Sequence, residues 1–456
     1  MGKKFGYIGF IALMLVLCLI PSLGMLVSEP EEAGGNEVLA LMPKLRDTEG
    51  NWNSKYLAQL KDYAEDHFFL RQSMISAWSS LNVNLLHTSI SDSVILGRDG
   101  WLYYEGTLSD YTGTNLLNDR EIYSAARNLA LVKEYAEGQG ARFLFTIAPN
   151  KNSLYPEHMP SVTAFSQERN ADRLAAALEE QGVAYLDLFS VLGGEDETLY
   201  FTQDSHWNSK GAALGADAIN AALGRETSYY QGPFTAQPVH LSDLYEMLFP
   251  TGGWLEDDQV YGGELSFEYE APIRSAENIT IMTSNAGDGS LLMFRDSFGN
   301  LLYPYLADSF GSALFSRSTD YRLDFISQRA ANCVVVELVE RNLNYLVENV
   351  PQMPAPRREV PSGANPDGSV SLTMEPSDYV PGCIQVSGVL PVEPDTASAI
   401  YLLTWEGCFE EVCYEAFQLS EGRFSLFVPE QALTAGELWI LFEAGGAWTA
   451  VSAVQS

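Results

Sequence analysis

The chain has 456 residues, with 26 Lys and Arg against 60 Asp and Glu, which gives a formal net charge of −34. A surface this acidic repels phosphate backbones and anionic headgroups, so nucleic acid is excluded as a general partner. Apolar residues make up 46% of the chain and charged residues 19%, a balance typical of folded domains rather than disordered chains. The length indicates two or three domains.

The N-terminus carries a targeting signal in its pattern. Lys3 and Lys4 precede an apolar stretch at residues 5–26, and acidic residues follow it. We favour an uncleaved signal anchor, which would tie an extracytoplasmic protein to the cell membrane through an N-terminal helix. The alternative is a cleaved signal peptide, with Ser22 and Gly24 as the small residues near the cleavage site, which would give a secreted protein. Residues 1–28 are assigned to this signal.

After a predicted linker at residues 29–54, apolar strands alternate with amphipathic helices. This alternation over residues 55–350 predicts an α/β fold, a doubly wound parallel sheet with helices on both faces. Residues 225–290 break the alternation and are predicted to be an insertion. The proline-rich residues 351–366 predict a second linker. Short alternating runs in residues 367–456 predict a small C-terminal all-β sandwich.

Asp204 and His206 stand two positions apart, between a predicted strand and a predicted helix. Side chains at i and i+2 of an extended segment lie on the same side, so the carboxylate can orient the imidazole. Such a loop at the end of a strand is where open α/β sheets place their sites. Taken alone, the pair also fits two residues that merely cap and cover the following helix.

Ser297 follows the apolar run at residues 291–294, and a helix is predicted to begin near Gly299. A tight strand-to-helix turn lifts a hydroxyl above the sheet and directs backbone N–H groups toward it. The first glycine of the G-x-S-x-G pattern is missing, so an ordinary Asp-Ser helix cap is the alternative. Together with Asp204 and His206, however, Ser297 completes a set of nucleophile, base and orienting carboxylate at one rim of the sheet.

The remaining histidines show no metal-ligand spacing, and neither H-E-x-x-H nor a phosphate-binding loop is present. We therefore predict no metal site and no cofactor. Cys408 and Cys413 fit either a disulfide across a hairpin or two free thiols.

The sequences DSHW at 204–207, RDSFG at 295–299 and GRDGWLY at 97–103 resemble those of a known family. This is the alginate O-acetyltransferase-like SGNH-hydrolase family, also called the DHHW family, of extracytoplasmic polysaccharide O-acetyltransferases. Four further motifs fit the resemblance, which covers roughly residues 55–350 in order: HFFLR at 67–71, PNK at 149–151, YPE at 155–157 and ELVER at 337–341.

The resemblance implies an SGNH-hydrolase-like fold in which Ser297 is the acyl-carrying nucleophile, His206 the general base and Asp204 its orienter. It also implies an oxyanion hole built from the backbone N–H of Ser297 and a neighbour. The candidates to complete this hole or to hold substrate are Asn150, Lys151, Gly299, Tyr155 and Arg341. For the last two, a structural ion pair and packing are the alternatives.

The resemblance further implies acetyl transfer to an exopolysaccharide or cell-wall glycan, with a membrane-bound O-acyltransferase as the donor partner. A carbohydrate acetyl esterase with the same three residues is one alternative, because the two activities differ only in which acceptor reaches the acyl-enzyme. A non-catalytic glycan-binding or scaffold protein is the other, although the intact set of Ser297, His206 and Asp204 disfavours it.

Overall fold

The computed structural model describes residues 2–25, 39–46, 50–161, 163–391, 399–406, 410–433, 437–444 and 446–455. A membrane span needs about 20 consecutive apolar residues. None of the helices within these ranges is both long and apolar enough to cross a bilayer, so the predicted N-terminal membrane anchor is wrong.

The helices are α1 (Gly2–Gly24), α2 (Tyr56–His67), α3 (Arg71–Leu81), α4 (Leu108–Thr112), α5 (Asp119–Gly138), α6 (Lys151–Leu154), α7 (Asn170–Glu180), α8 (Leu188–Gly193), α9 (Ser209–Ala222), α10 (Asp243–Leu248), α11 (Gly299–Ser309) and α12 (Asp324–Arg329).

A seven-stranded sheet forms the centre of the fold up to residue 339. The strands of this part are β1 (Val94–Leu96), β2 (Leu102–Tyr104), β3 (Arg142–Ala148), β4 (Tyr185–Leu186), β5 (Phe234–His240), β6 (Glu256–Tyr261), β7 (Glu268–Tyr269), β8 (Thr280–Ser284), β9 (Ser290–Phe294), β10 (Ser312–Ser316) and β11 (Cys333–Val339). The order in the sheet is β4-β3-β11-β9-β10-β8-β7. The first five of these strands are parallel, and β8 and β7 add an antiparallel edge.

Strands β9 and β11 are buried along their whole length and are predominantly apolar, as strands covered on both faces are, although β11 also contains the buried Glu337. Helices α5 and α7 pack on one face of the sheet, and α9 and α11 pack on the other. A capping box between Asn118 and Glu121 starts α5. The predicted doubly wound α/β fold is therefore confirmed. The antiparallel edge and the separate β5–β6 hairpin come from residues 225–290, which the sequence pattern set apart as an insertion.

The C-terminal part is all-β, as predicted, but its nine strands share one hydrogen-bonded sheet. Leu372, Leu402, Leu426 and Phe442 meet in one core cluster, although Leu402 and Leu426 lie on strands that are far apart in the sheet, so the sheet curls upon itself. Cys413 is a buried free thiol, and Cys408 lies outside the described residues. The strands are β12 (Arg357–Arg358), β13 (Asn365–Pro376), β14 (Cys383–Val389), β15 (Ile400–Glu406), β16 (Glu410–Glu415), β17 (Phe417–Gln418), β18 (Arg423–Pro429), β19 (Trp439–Ala444) and β20 (Ala447–Gln455).

The curled sheet packs against α5 of the α/β part. The Arg127 guanidinium donates to both oxygens of the buried Glu415 carboxylate, at 2.7 and 2.8 Å. Beside it, the Asn128 side chain exchanges hydrogen bonds with the backbone of Gln418. These polar contacts fix how the two parts meet.

Candidate active site

Ser297 lies in the turn between β9 and α11, and its neighbours hold that turn rigidly. The Asp296 carboxylate accepts the Phe298 N–H at 2.9 Å and the Val339 N–H, at the end of β11, at 2.7 Å. The buried Arg295 guanidinium donates to the backbone of the turn and to the segment before β8. The turn is thus tied to the neighbouring strand β11 and to the segment before β8, and the Ser297 hydroxyl is presented at the carboxyl edge of the sheet.

His206 and Asp204 lie in the loop before α9, which meets the Ser297 turn. His206 Nδ1 is 2.7 Å from Asp204 Oδ1, and His206 Nε2 is 2.9 Å from Ser297 Oγ. The Trp207 indole N–H donates to the Phe298 carbonyl at 3.0 Å and joins the two turns directly. With Nδ1–H directed at Asp204, Nε2 is free to accept the hydroxyl proton of Ser297.

Burial and neighbouring charged groups shift the pKa values of Asp204 and His206 in opposite directions. Burial raises the pKa of Asp204, but attraction to His206 and hydrogen bonds from His206 and His240 hold it well below its usual range. Burial lowers the pKa of His206, whereas Asp204 and Asp243 raise it, and the net result lies above its usual value. Asp204 therefore stays ionised, and its charge would stabilise an imidazolium at His206.

His240 and Asp243 also touch Asp204, although the sequence pattern did not select either as a site residue. The Asp204 Oδ2 atom accepts the His240 Nε2–H at 2.9 Å and the Asp243 backbone N–H at 2.8 Å. The His240 ring stacks on Phe201 at 3.7 Å. The Asp243 side chain accepts the Ser205 N–H and hydroxyl, and burial and repulsion by Asp204 raise its pKa.

Two carboxylates on β6 hold the ends of the same loop. Glu256 accepts hydrogen bonds from the Thr202 N–H, the Thr202 hydroxyl and the Gln203 N–H at 2.6, 2.6 and 3.1 Å. Asp258 accepts the Ser209 N–H and hydroxyl at 3.0 and 2.5 Å, at the start of α9. Alternate residues of a strand lie on the same face. The i, i+2 spacing of Glu256 and Asp258 could therefore have indicated two carboxylates directed at one neighbouring segment, but the sequence analysis did not select them.

Lys151, predicted to complete the oxyanion hole or to hold substrate, lies beneath the loop instead. Its Nζ donates to the carbonyls of Phe201, Thr202 and Asp204 at 3.1, 3.0 and 2.5 Å. It also lies 5.5 Å from the ring centroid of Trp101. Burial lowers the pKa of Lys151 to about 8. These contacts make Lys151 an anchor of the loop backbone.

Three other predicted residues also lie outside the cleft lining. Asn150 is buried, and its backbone N–H donates to Glu340 Oε2 at 3.0 Å. The Tyr155 hydroxyl accepts a backbone N–H from the segment before the loop. At Gly299, a Cβ atom would lie 2.5 Å from the Arg295 side chain, so close packing accounts for the glycine. The structure thus gives these residues supporting positions.

A cleft of about 650 Å³ opens above Ser297 and His206, and Arg341 lines it. The Arg341 guanidinium lies 5.4 and 5.5 Å from the ring centroids of Tyr104 and Phe298. It is close enough to oppose the protonation of His206, and its buried Nη1 has no hydrogen-bond partner. Of the five additional residues predicted from the resemblance, Arg341 is the one at the cleft.

Potential metal ligands come together only within this network, as far as the described residues show. Oxygen and nitrogen atoms of Asp204, His206 and Asp243 lie within 4.8 Å of one another. Asp204 already accepts from His206, and Asp243 accepts from Ser205. A cation would therefore compete with existing hydrogen bonds, which account for the cluster without one.

The fold and the Ser-His-Asp contact are typical of SGNH-hydrolase-like domains, and comparison with known proteins agrees. Residues 94–245 match the family model described as SGNH hydrolase-like domain, acetyltransferase AlgX. The matched segment contains Asp204 and His206 and ends before Ser297. The resemblance predicted from the motifs is therefore confirmed.

The chain is homologous to proteins named probable alginate O-acetylase AlgJ. It is 26% identical to that of Pseudomonas syringae pv. tomato over 220 residues, 43% of this chain and 54% of the relative. It is 25% identical to that of Pseudomonas aeruginosa over 188 residues, 40% of this chain and 45% of the relative. The matches thus span about half the length of these curated relatives.

Two solved structures are similar to parts of this chain. The O-acetyltransferase domain of Pseudomonas putida AlgJ has a TM-score of 0.39 and 16% identity, over 55% of this chain and 92% of that one. Bacillus cereus PatB1 has a TM-score of 0.43 and 17% identity, over 56% of this chain and 97% of that one.

Proposed function

We propose that the protein is a serine-dependent O-acetyltransferase that moves an acetyl group onto hydroxyls of a polysaccharide. The observation that carries the proposal is the unbroken hydrogen-bonded series from Ser297 Oγ through His206 to Asp204, at the floor of a cleft. Homology to proteins named alginate O-acetylases supports the choice of acetyl group and of polysaccharide acceptor.

In the proposed reaction, His206 Nε2 takes the Ser297 proton while Oγ attacks the acetyl carbonyl carbon. The tetrahedral intermediate collapses, and the leaving group takes the proton from His206, which leaves acetyl-Ser297. An acceptor hydroxyl then gives its proton to His206 and attacks the acyl carbon. Collapse of the second intermediate returns the proton to Ser297 and releases the acetylated sugar.

Arg341 is our proposed partner for the oxyanion, together with the Ser297 backbone N–H. The neighbouring Phe298 N–H is engaged by Asp296 and is not free for this purpose. Arg341 lines the same cleft and brings a positive charge to it. One such donor is worth about 10²–10³ in rate in enzymes that stabilise an oxyanion.

Acetyl ester hydrolysis is the second candidate function. The His206 side chain is 21% exposed, so water can reach the acyl-enzyme when no sugar fills the cleft.

The resemblance also implies a membrane-bound O-acyltransferase as the donor, and we propose such a protein as the partner.

The test is to incubate the full chain with p-nitrophenyl acetate, digest it and analyse its peptides by mass spectrometry. We expect an acetyl group on the Ser297 peptide, no label in Ser297→Ala, and normal labelling in Ser371→Ala, which alters an exposed serine on β13. Adding an oligosaccharide then separates the two activities, because a transferase yields acetylated sugar and an esterase yields acetate. Labelling that persists in Ser297→Ala would refute the mechanism.

A further inference from the structure

The charged side chains at the cleft are mainly acidic. Helix α10 contributes Asp243 and Glu246, and Glu277 also lines the cleft, with 58% of its side chain exposed. Arg317 forms an ion pair with Glu277, which offsets its charge. Among the lining residues that the structure describes, Arg341 is the remaining arginine, and it has no carboxylate partner.

From this charge balance we infer that the acceptor is an uncharged glycan and not a polyuronate. The inference rests on the proposed function, in which Arg341 faces the oxyanion. No second unpaired cation in the described lining is then left to receive the carboxylate of a uronic acid. This separates the protein from what the name alginate, a polyuronate, suggests for its relatives.

The same lining suits a neutral sugar. Asp243 and Glu246 line the cleft, and a carboxylate has more than one acceptor site, so each can accept a sugar hydroxyl beside its existing contacts. Tyr104, Met247 and Leu301 add apolar surface on which the face of a sugar ring can lie.

The negative electrostatic field of the whole protein also favours an uncharged acceptor. With a formal net charge of −34, the chain repels a polymer that carries one carboxylate on every sugar. This repulsion is screened over about 10 Å at 0.1 M salt, so it weakens as salt is added. An uncharged glycan meets no such barrier.

The experiment compares two acceptors that differ only at C6, β-1,4-mannohexaose and the β-1,4-mannuronate hexamer, with p-nitrophenyl acetate as donor and the full chain as enzyme. Acetylated product is measured by mass spectrometry at low and high salt. We expect the neutral hexamer to be acetylated about tenfold faster at low salt. The rate with the uronate should rise as salt is added, whereas the neutral rate should not.

Glu246→Gln should raise the uronate-to-neutral ratio, because it removes a negative charge from the cleft. Glu180→Gln, on the exposed end of α7, is the matched control and should leave the ratio unchanged. A uronate preferred over the neutral hexamer, with a rate that falls as salt rises, would overturn the inference. So would formation of acetyl-Ser297 without transfer to either hexamer. Absence of acetyl-Ser297 itself would instead refute the proposed function.

Discussion

Replacing Glu256 by Gln should loosen the loop that carries Asp204 and His206. Glu256 is only 7% exposed and accepts four hydrogen bonds of 2.6–3.1 Å. The glutamine oxygen can keep the two from Thr202, but its NH₂ group then faces the donors of Gln203 and Ser242. Two hydrogen bonds to a charged group are lost, each worth about 1.5–3 kcal/mol. We expect the free energy of unfolding to fall by about 3–6 kcal/mol.

The assay is urea unfolding together with the rate of acetyl-Ser297 formation from p-nitrophenyl acetate. The matched control is Asp257→Asn, because Asp257 is the neighbouring residue of β6 and points to solvent. Glu256→Gln should unfold at clearly lower urea and acylate more slowly, while the control should behave as the natural protein. If the two variants cannot be told apart, the claim that β6 holds the loop is incorrect.

Three further variants address the electrostatics of the site. Acylation should fall as pH drops through the raised pKa of His206, because only neutral imidazole accepts the Ser297 proton. Asp204→Asn removes the charge that raises this pKa, so the acid limb should move to lower pH and the rate should fall about 10³–10⁴-fold. Arg341→Met removes a charge that lowers the pKa of His206, so the acid limb of the pH–rate profile should move to higher pH, with a rate loss of about 10²-fold. Lys151→Met should lower the thermal midpoint, since three loop carbonyls lose their donor.

The two pH-limb shifts, read from pH–rate profiles of acylation, must have opposite signs. A shift in the same direction for Asp204→Asn and Arg341→Met would contradict the charge assignments around His206. For Lys151→Met, an unchanged midpoint by calorimetry would show that the loop does not depend on this side chain.

Local patterns in the sequence predicted much of the fold and the position of the central triad. The apolar runs at residues 291–294 and 334–336 predicted the buried strands β9 and β11, because strands covered on both faces show no alternation. The i, i+2 spacing of Asp204 and His206 predicted their mutual contact, and a strand-to-helix turn predicted that Ser297 would stand at the rim. Each of these inferences needs only the geometry of a few neighbouring residues. Their role in catalysis stays a prediction.

What surrounds the triad was decided by the tertiary structure alone. His240, Asp243 and Glu256 come from a hairpin and helix that interrupt the strand–helix alternation, and no local pattern relates them to Asp204. Lys151 follows a strand that ends at the same rim, yet its side chain turns beneath the loop, where carbonyl groups need a donor. Hydrogen bonds between residues far apart in the chain depend on how whole elements pack, and that packing is set by the sum of many contacts and not by any short stretch of sequence.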